Sequence, residues 1–112
     1  MKIIILTLSL LSLTTFANAL SQINAYDAKS YIGKTATVCG KVVAVKPYKN
    51  NLFINLEKNY PNQPFYFYIK KSDSREVSKA LEKIGKRVCG TGLVELYNGR
   101  VEMQKSSVNQ LF

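Results

Sequence analysis

The segment Phe65-Tyr66-Phe67-Tyr68-Ile69-Lys70 sets six large side chains in strict alternation. Extended backbone sends Phe65, Phe67 and Ile69 to one face and Tyr66, Tyr68 and Lys70 to the other. The purely apolar set suits a core, which leaves rings with hydroxyls and an ammonium group for the outside. Residues 52–57 alternate in the same way, with Leu52, Ile54 and Leu56 on one face and Phe53, Asn55 and Glu57 on the other. Side by side, the two segments would gather Phe53, Asn55, Tyr66, Tyr68 and Lys70 on one outer surface. Lys46, Tyr48, Lys49 and Asn50 would flank it on one side, and Tyr97, Asn98 and Arg100 on the other. The chemistry open to such a set is recognition. Aromatic faces accept stacked planar groups at about 1 to 3 kcal/mol each, and cations follow a line of negative charge with a strength that falls as salt rises. An exposed Phe beside two Tyr also forms the kind of apolar patch that marks a contact surface. Cross-strand pairing gives Phe53, Tyr66 and Tyr68 a structural reason to be there as well, and Tyr97 reads first as a hairpin residue. Lys41 and Lys86 read as solvated charges, and Asn62 and Gln63 as residues that order their own loop.

Bond-breaking chemistry has little to work with. The chain holds no His, so a Ser/His/Asp set, a Cys/His nucleophile pair and a Cys/His zinc site are all excluded. Its seven acids are scattered without the spacing of a calcium loop, and no cofactor is implied. The two cysteines, Cys39 and Cys89, are candidates for a disulfide closing a loop of about fifty residues, worth roughly 3 to 4 kcal/mol by loop-closure entropy.

The elements that must position these residues follow from pattern and punctuation. Asn24 with Asp27 three residues on, then Ala28, Tyr31 and Ile32 before Gly33, predicts a short lead-in helix. Residues 35–45, rich in Val and Thr, predict a long strand bent at Gly40, and Pro47 to Asn51 predict a turn. The strand 52–57, a loop with Pro61 and Pro64, and the strand 65–70 come next. Asp73 and Glu76 open a helix whose apolar residues Val77, Ala80, Leu81 and Ile84 share a face, and Gly85 closes it. Two last strands, 87–96 and 100–105, flank the hairpin signal Asn98-Gly99. Five strands with a helix between the third and fourth is the layout of an all-β, five-stranded OB-fold barrel. An internal echo agrees: Ile32-Gly33-Lys34 and Ile84-Gly85-Lys86 each enter a strand, with Gly40 and Gly92, then Val42 and Val94, at equal offsets. The first and fourth strands of that barrel are neighbours, so Cys39 and Cys89 can meet.

Tyr31-Ile32-Gly33-Lys34, Val38-Cys39-Gly40-Lys41-Val42-Val43, Leu52-Phe53-Ile54-Asn55-Leu56, Tyr60-Pro61-Asn62-Gln63-Pro64-Phe65, Gly85-Lys86-Arg87-Val88-Cys89 and Tyr97-Asn98-Gly99-Arg100 together resemble small exported bacterial OB-fold domains described as candidate nucleic-acid binders. The resemblance covers nearly the whole chain after residue 19, and it implies the fold more strongly than any activity. A looser likeness, in architecture alone, is to periplasmic OB-fold proteins linked to stress and small ligands. Staphylococcal-type nucleases share the barrel, but their calcium-binding carboxylate cluster has no counterpart here, so the expectation is not an enzyme.

Compartment and partners complete the picture. Lys2, the apolar run from Ile3 through Leu13 and the small-residue pattern Ala17-Asn18-Ala19 have the three parts of a secretory signal over residues 1–19. The expected product is a periplasmic or extracellular domain of residues 20–112, with an uncleaved signal anchor as the rival reading, and no further apolar run is long enough to span a bilayer. It would carry 15 Lys and Arg against 7 Asp and Glu, a net +8. A positive field of this kind favours single-stranded nucleic acid or another extended polyanion held on the OB face. The alternative is an envelope or secreted accessory protein that docks a protein, glycan or small ligand through the same aromatic face.

Overall fold

A computed structural model describes residues 21–112; the signal-like segment 1–19 lies outside them. Among the described residues, seven strands and one α-helix occur in the order β1 (Gln22–Asn24), β2 (Thr35–Tyr48), β3 (Asn51–Leu56), β4 (Phe65–Ile69), α1 (Ser74–Leu81), β5 (Arg87–Leu93), β6 (Glu95–Tyr97) and β7 (Arg100–Lys105). Short 3-10 helices cover Ala25–Tyr31 and Val108–Gln110. Neighbours run β1-β2-β3-β4-β7-β6, with β5 on the other edge of β2. The circuit closes because β5 and β6 are two halves of one strand, parted at Val94. The first half pairs antiparallel with β2 and the second with β7. With β4 and β7 parallel and the rest of the barrel antiparallel, this is the five-stranded OB barrel, carrying β1 as an added parallel strand.

The alternation seen in the sequence fixes the inside. Leu52, Ile54, Leu56, Phe65, Phe67 and Ile69 are all fully buried and join Val38, Val42, Val94 and Met103 in one core. Phe65 and Phe67 meet edge to face, with ring centroids 5.1 Å apart. Gly90 makes room for this: a β-carbon there would stand 2.5 Å from the Phe67 ring.

The internal echo has a structural meaning. Gly33 and Gly85 both take φ +87°, which favours glycine. The Gly33 amide donates to the Val94 carbonyl while the Val94 amide donates to Lys34, and Gly85, Val42 and Lys86 repeat the exchange. The repeated residues thus sit about a local two-fold axis between β2 and β5. Cys39 and Cys89 lie directly opposite each other near that axis and are bonded. The amide and carbonyl of Cys89 pair with Phe112 instead of with β2, so the two cysteines form the narrow, non-hydrogen-bonded kind of cross-strand pair. Their Cα atoms are 4.0 Å apart.

Three expectations are corrected. Strand β2 runs on to Tyr48, so Lys46, Pro47 and Tyr48 belong to a hairpin arm, and the turn is Lys49 and Asn50 with Lys49 at φ 57°. Pro47 is tolerated because β5 leaves β2 after Lys41, so the far edge of the arm has no ladder to break. The register of β2 shifts between Val42 and Ala44, a bulge beside the expected glycine bend. Helix α1, capped by Asp73 as expected, ends at Leu81. The chain then tightens through i to i+3 bonds to reach Gly85, leaving Leu81 and Ile84 half exposed and only Ala80 and part of Val77 against the core. The lead-in helix is a tight 3-10 helix, capped by Asn24 accepting from the Asp27 amide at 3.1 Å.

The disulfide predicts that denatured, unreduced protein shows no titratable thiol, and that reduction lowers stability by up to about 4 kcal/mol. Two reactive thiols would contradict the pairing. Gly90→Ala should cost about 1 to 3 kcal/mol in chemical denaturation, since the Phe67 ring must shift to admit the methyl group.

Candidate binding groove

The barrel register arranges the outer face of β2, β3, β4 and β7 in rows. Ala44, Asn55, Tyr66 and Glu102 are successive neighbours in one row, and Lys46, Phe53, Tyr68 and Gln104 in the next. Phe53 packs on both tyrosines, with ring centroids 5.4 Å from Tyr66 and 5.1 Å from Tyr68. Above these rows lies an open groove of about 830 Å³ lined by Ala44, Lys46, Pro47, Tyr48, Phe53, Asn55, Asn59, Tyr60, Gln63, Tyr66 and Arg100. Lys46 and Arg100 are the charged residues of that lining, and it holds no carboxylate.

Tyr66 is on the expected side of the barrel but is not the open ring the alternation suggested: it is 2 % exposed. Its hydroxyl donates to a carboxylate oxygen of Glu102 at 2.7 Å, and Glu102 is itself buried. Burial first, and then the Glu102 carboxylate, push the phenol well above its ordinary value, with Arg100 opposing weakly. Tyr66 is therefore a neutral, hydrogen-bonded floor. Asn55 is buried beside it. The open rings are at the rim, where Tyr48 is 59 % and Tyr60 56 % exposed.

One wall is built by Arg100. Its guanidinium lies 4.5 Å from the centroid of the Tyr60 ring and donates to the Tyr60 hydroxyl at 2.6 Å. This ties the 57–64 loop to the β6–β7 hairpin. The other wall is the β2–β3 hairpin arm, where Lys46 and Tyr48 project from strand backbone.

Of the residues singled out in the sequence, Lys46, Tyr48, Phe53, Asn55, Tyr66 and Arg100 meet in the groove. Tyr68 lies beside it under Phe53, half-buried. Lys49 stands at the hairpin tip with its Nζ 5.4 Å from the Tyr48 ring centroid. Tyr97 is exposed opposite Arg100 in the β6–β7 pairing and does not line the groove. Lys70 points to a separate basic depression at the far end of β4. Tyr60, Asn59 and Gln63 were missed, and Gln63, read as a loop-ordering residue, lines the groove with its Oε1 buried and without a hydrogen-bond partner. The signal was available: a loop that leaves β3 after Leu56 and returns at Phe65 must hang over the row that holds Asn55 and Tyr66. Among the described residues no three Cys, Asp or Glu side chains cluster closely enough to hold a metal ion, and no helix is long and apolar enough to cross a membrane.

No protein-family model matches the chain, and no curated protein matches its sequence. Solved structures do match in fold. The aspartyl-tRNA synthetase of Entamoeba histolytica superposes with a TM-score of 0.55 at 22 % identity, over 79 % of this chain and 20 % of the synthetase. A Leishmania major Friedlin protein described as an aspartyl-tRNA synthetase gives 0.54 at 9 % identity, over 88 % and 22 %. The chain thus spans about a fifth of the length of these two proteins. OBody AM1L10, solved bound to hen egg-white lysozyme, gives 0.56 at 15 % identity, over 88 % of this chain and 96 % of the OBody. At these identities the likeness is one of fold.

The state of Tyr66 is directly measurable. Above its ordinary value of 10.0 the unfolded chain releases a phenol proton that the folded chain retains, so this group's contribution to stability is whole below that pH and declines as pH rises beyond it. At pH 11 the native protein should show less phenolate absorbance near 295 nm than the unfolded chain, and the shortfall should shrink in Tyr66→Phe. An undiminished shortfall in that variant would place the withheld phenol elsewhere.

Proposed function

We propose that this chain is a non-catalytic OB-fold module of an exported protein that binds single-stranded nucleic acid or another extended polyanion along the groove. The observation that carries the reading is the lining: accessible Tyr48, Tyr60 and half-buried Phe53 between Lys46 and Arg100, with no acid among them. Rings interleaved with cations are what a strand of bases and phosphates requires, and the face used is the one on which OB folds hold oligonucleotides. Polar Asn55, Asn59 and Gln63 add hydrogen-bonding edges, and a donor lodged near Gln63 would relieve its unpaired oxygen, a deficit worth about 1 to 3 kcal/mol. Two of the fold relatives are named as tRNA synthetases, which is in keeping with this reading. The disulfide and the signal-like residues 1–19 support an oxidising compartment as the working environment.

Fluorescence anisotropy with a labelled oligothymidylate tests it. Affinity should fall as salt rises, with a slope in log–log form of about −0.7 per phosphate neutralised. Tyr48→Ala and Tyr60→Ala should each cost about 1 to 3 kcal/mol of binding, and Arg100→Ala should flatten the salt slope by about 0.7. Absence of binding, or an affinity indifferent to salt and to both tyrosines, would overturn the assignment and favour a protein or glycan partner on the same face.

A further inference from the structure

A second depression, of about 510 Å³, is lined by Lys70, Lys71, Gln104, Lys105, Ser106 and Gln110. Every charged residue in that lining is a lysine. Among the described residues the ion pair formed is Arg75 with Asp73, so none of these three ammonium groups is neutralised by a carboxylate. Their positions are set by backbone. Lys71 takes φ 54°, the Ser72 amide donates to Asn50 at 2.8 Å, and the turn after β4 is thereby pinned to the β2–β3 hairpin. Lys105 is anchored by its Nζ donating to the Thr91 carbonyl, and the Ser106 amide donates to Gln110 Oε1 at 2.9 Å. Holding three like charges around one concavity is unfavourable until an anion shares them.

Topology connects this depression to the aromatic groove. Strands β4 and β7 are parallel and in register from Tyr66 and Glu102 to Ile69 and Lys105. Both therefore begin at the aromatic groove, with Tyr66 and Arg100, and both end at the lysines. Between the two lies the row Phe53, Tyr68 and Gln104. The four residue steps from Tyr66 to Lys70 span about 13 Å of strand. The acid on this path, Glu102, is buried beneath it and occupied by the Tyr66 hydroxyl.

We infer that the lysine depression binds a backbone phosphate of the same strand that lies in the aromatic groove, making the two grooves consecutive stations of one track along β4 and β7. This rests on the nucleic-acid reading of the aromatic groove, and it adds a length requirement: a ligand confined to the first station gains nothing from the second.

The test compares labelled oligothymidylates of about four and about twelve nucleotides, the first at the lower limit of what one OB fold covers and the second well above that limit, on wild type and on Lys70→Ala with Lys71→Ala. Removing two phosphate contacts at about 0.7 each in the salt slope should weaken the long probe roughly twentyfold at 0.1 M salt and leave the short one within about twofold. A control with the same charge change elsewhere, Lys29→Ala with Lys79→Ala, should preserve the advantage of the long probe. Equal losses for both probes, or equal losses in the control, would reduce the lysines to a general field and overturn the track alone. An unchanged long-probe affinity would do the same. Failure of wild type to bind either probe would overturn the aromatic-groove reading and the track with it.

Discussion

A tyrosine hydroxyl can be buried on the outer face of a barrel only if an acceptor is buried with it, and Glu102 meets that condition for Tyr66. The surroundings of the site depend on this pair. Because the hydroxyl is satisfied, the Tyr66 ring can stay buried in its sheet row, where Phe53 packs against it edge-on. Arg100, two residues before Glu102 on the same strand, holds Tyr60. The loop that closes the groove is thus fastened to the strand that carries the buried acid. Loss of either member leaves a polar group without its partner, at a cost of about 1 to 3 kcal/mol, and loosens the seat of the aromatic surface above it.

Away from the groove, the barrel is held shut along the seam between β2 and β5. Strands β2 and β5 are joined by the Cys39–Cys89 bond, by the reciprocal amide exchanges around Gly33, Val94, Val42 and Gly85, and by the contact of the Thr37 and Thr91 hydroxyls at 2.7 Å. This seam is on the opposite edge of β2 from β3, with which the far half of β2 forms the hairpin arm that carries Lys46 and Tyr48. The division of labour is physical: the first half of β2 is fixed by β5, and past the bulge at Val42 the second half is free on one edge to line a groove.

Much of this was legible in the residues. Strict alternation in 52–57 and 65–70 told inside from outside correctly for every core residue of the two central strands, and the order of elements was enough for the barrel. The echo of Gly33 in Gly85 pointed to the seam, and strand adjacency to the disulfide. What alternation cannot supply is cover. It assigns a side of the sheet, while the burial of Tyr66 and Asn55 depends on Phe53, Arg100 and a distant acid that share a row only after folding. Lys46 and Tyr48 were placed on a loop because Pro47 usually ends a strand, and the free edge that tolerates it is a tertiary fact. Leu81 and Ile84 fit a helical face, but the return to Val42 shortens the helix before that face is used.

The central claim is that an extended polyanion is seated in the aromatic groove. A ¹H–¹⁵N correlation titration with unlabelled oligothymidylate addresses it residue by residue. The account predicts that the largest shifts fall on Lys46, Tyr48, Phe53, Tyr60, Gln63 and Arg100. Shifts centred instead on the exposed apolar residues Ile32, Leu81, Ile84 or Leu93, with the groove unmoved, would contradict it.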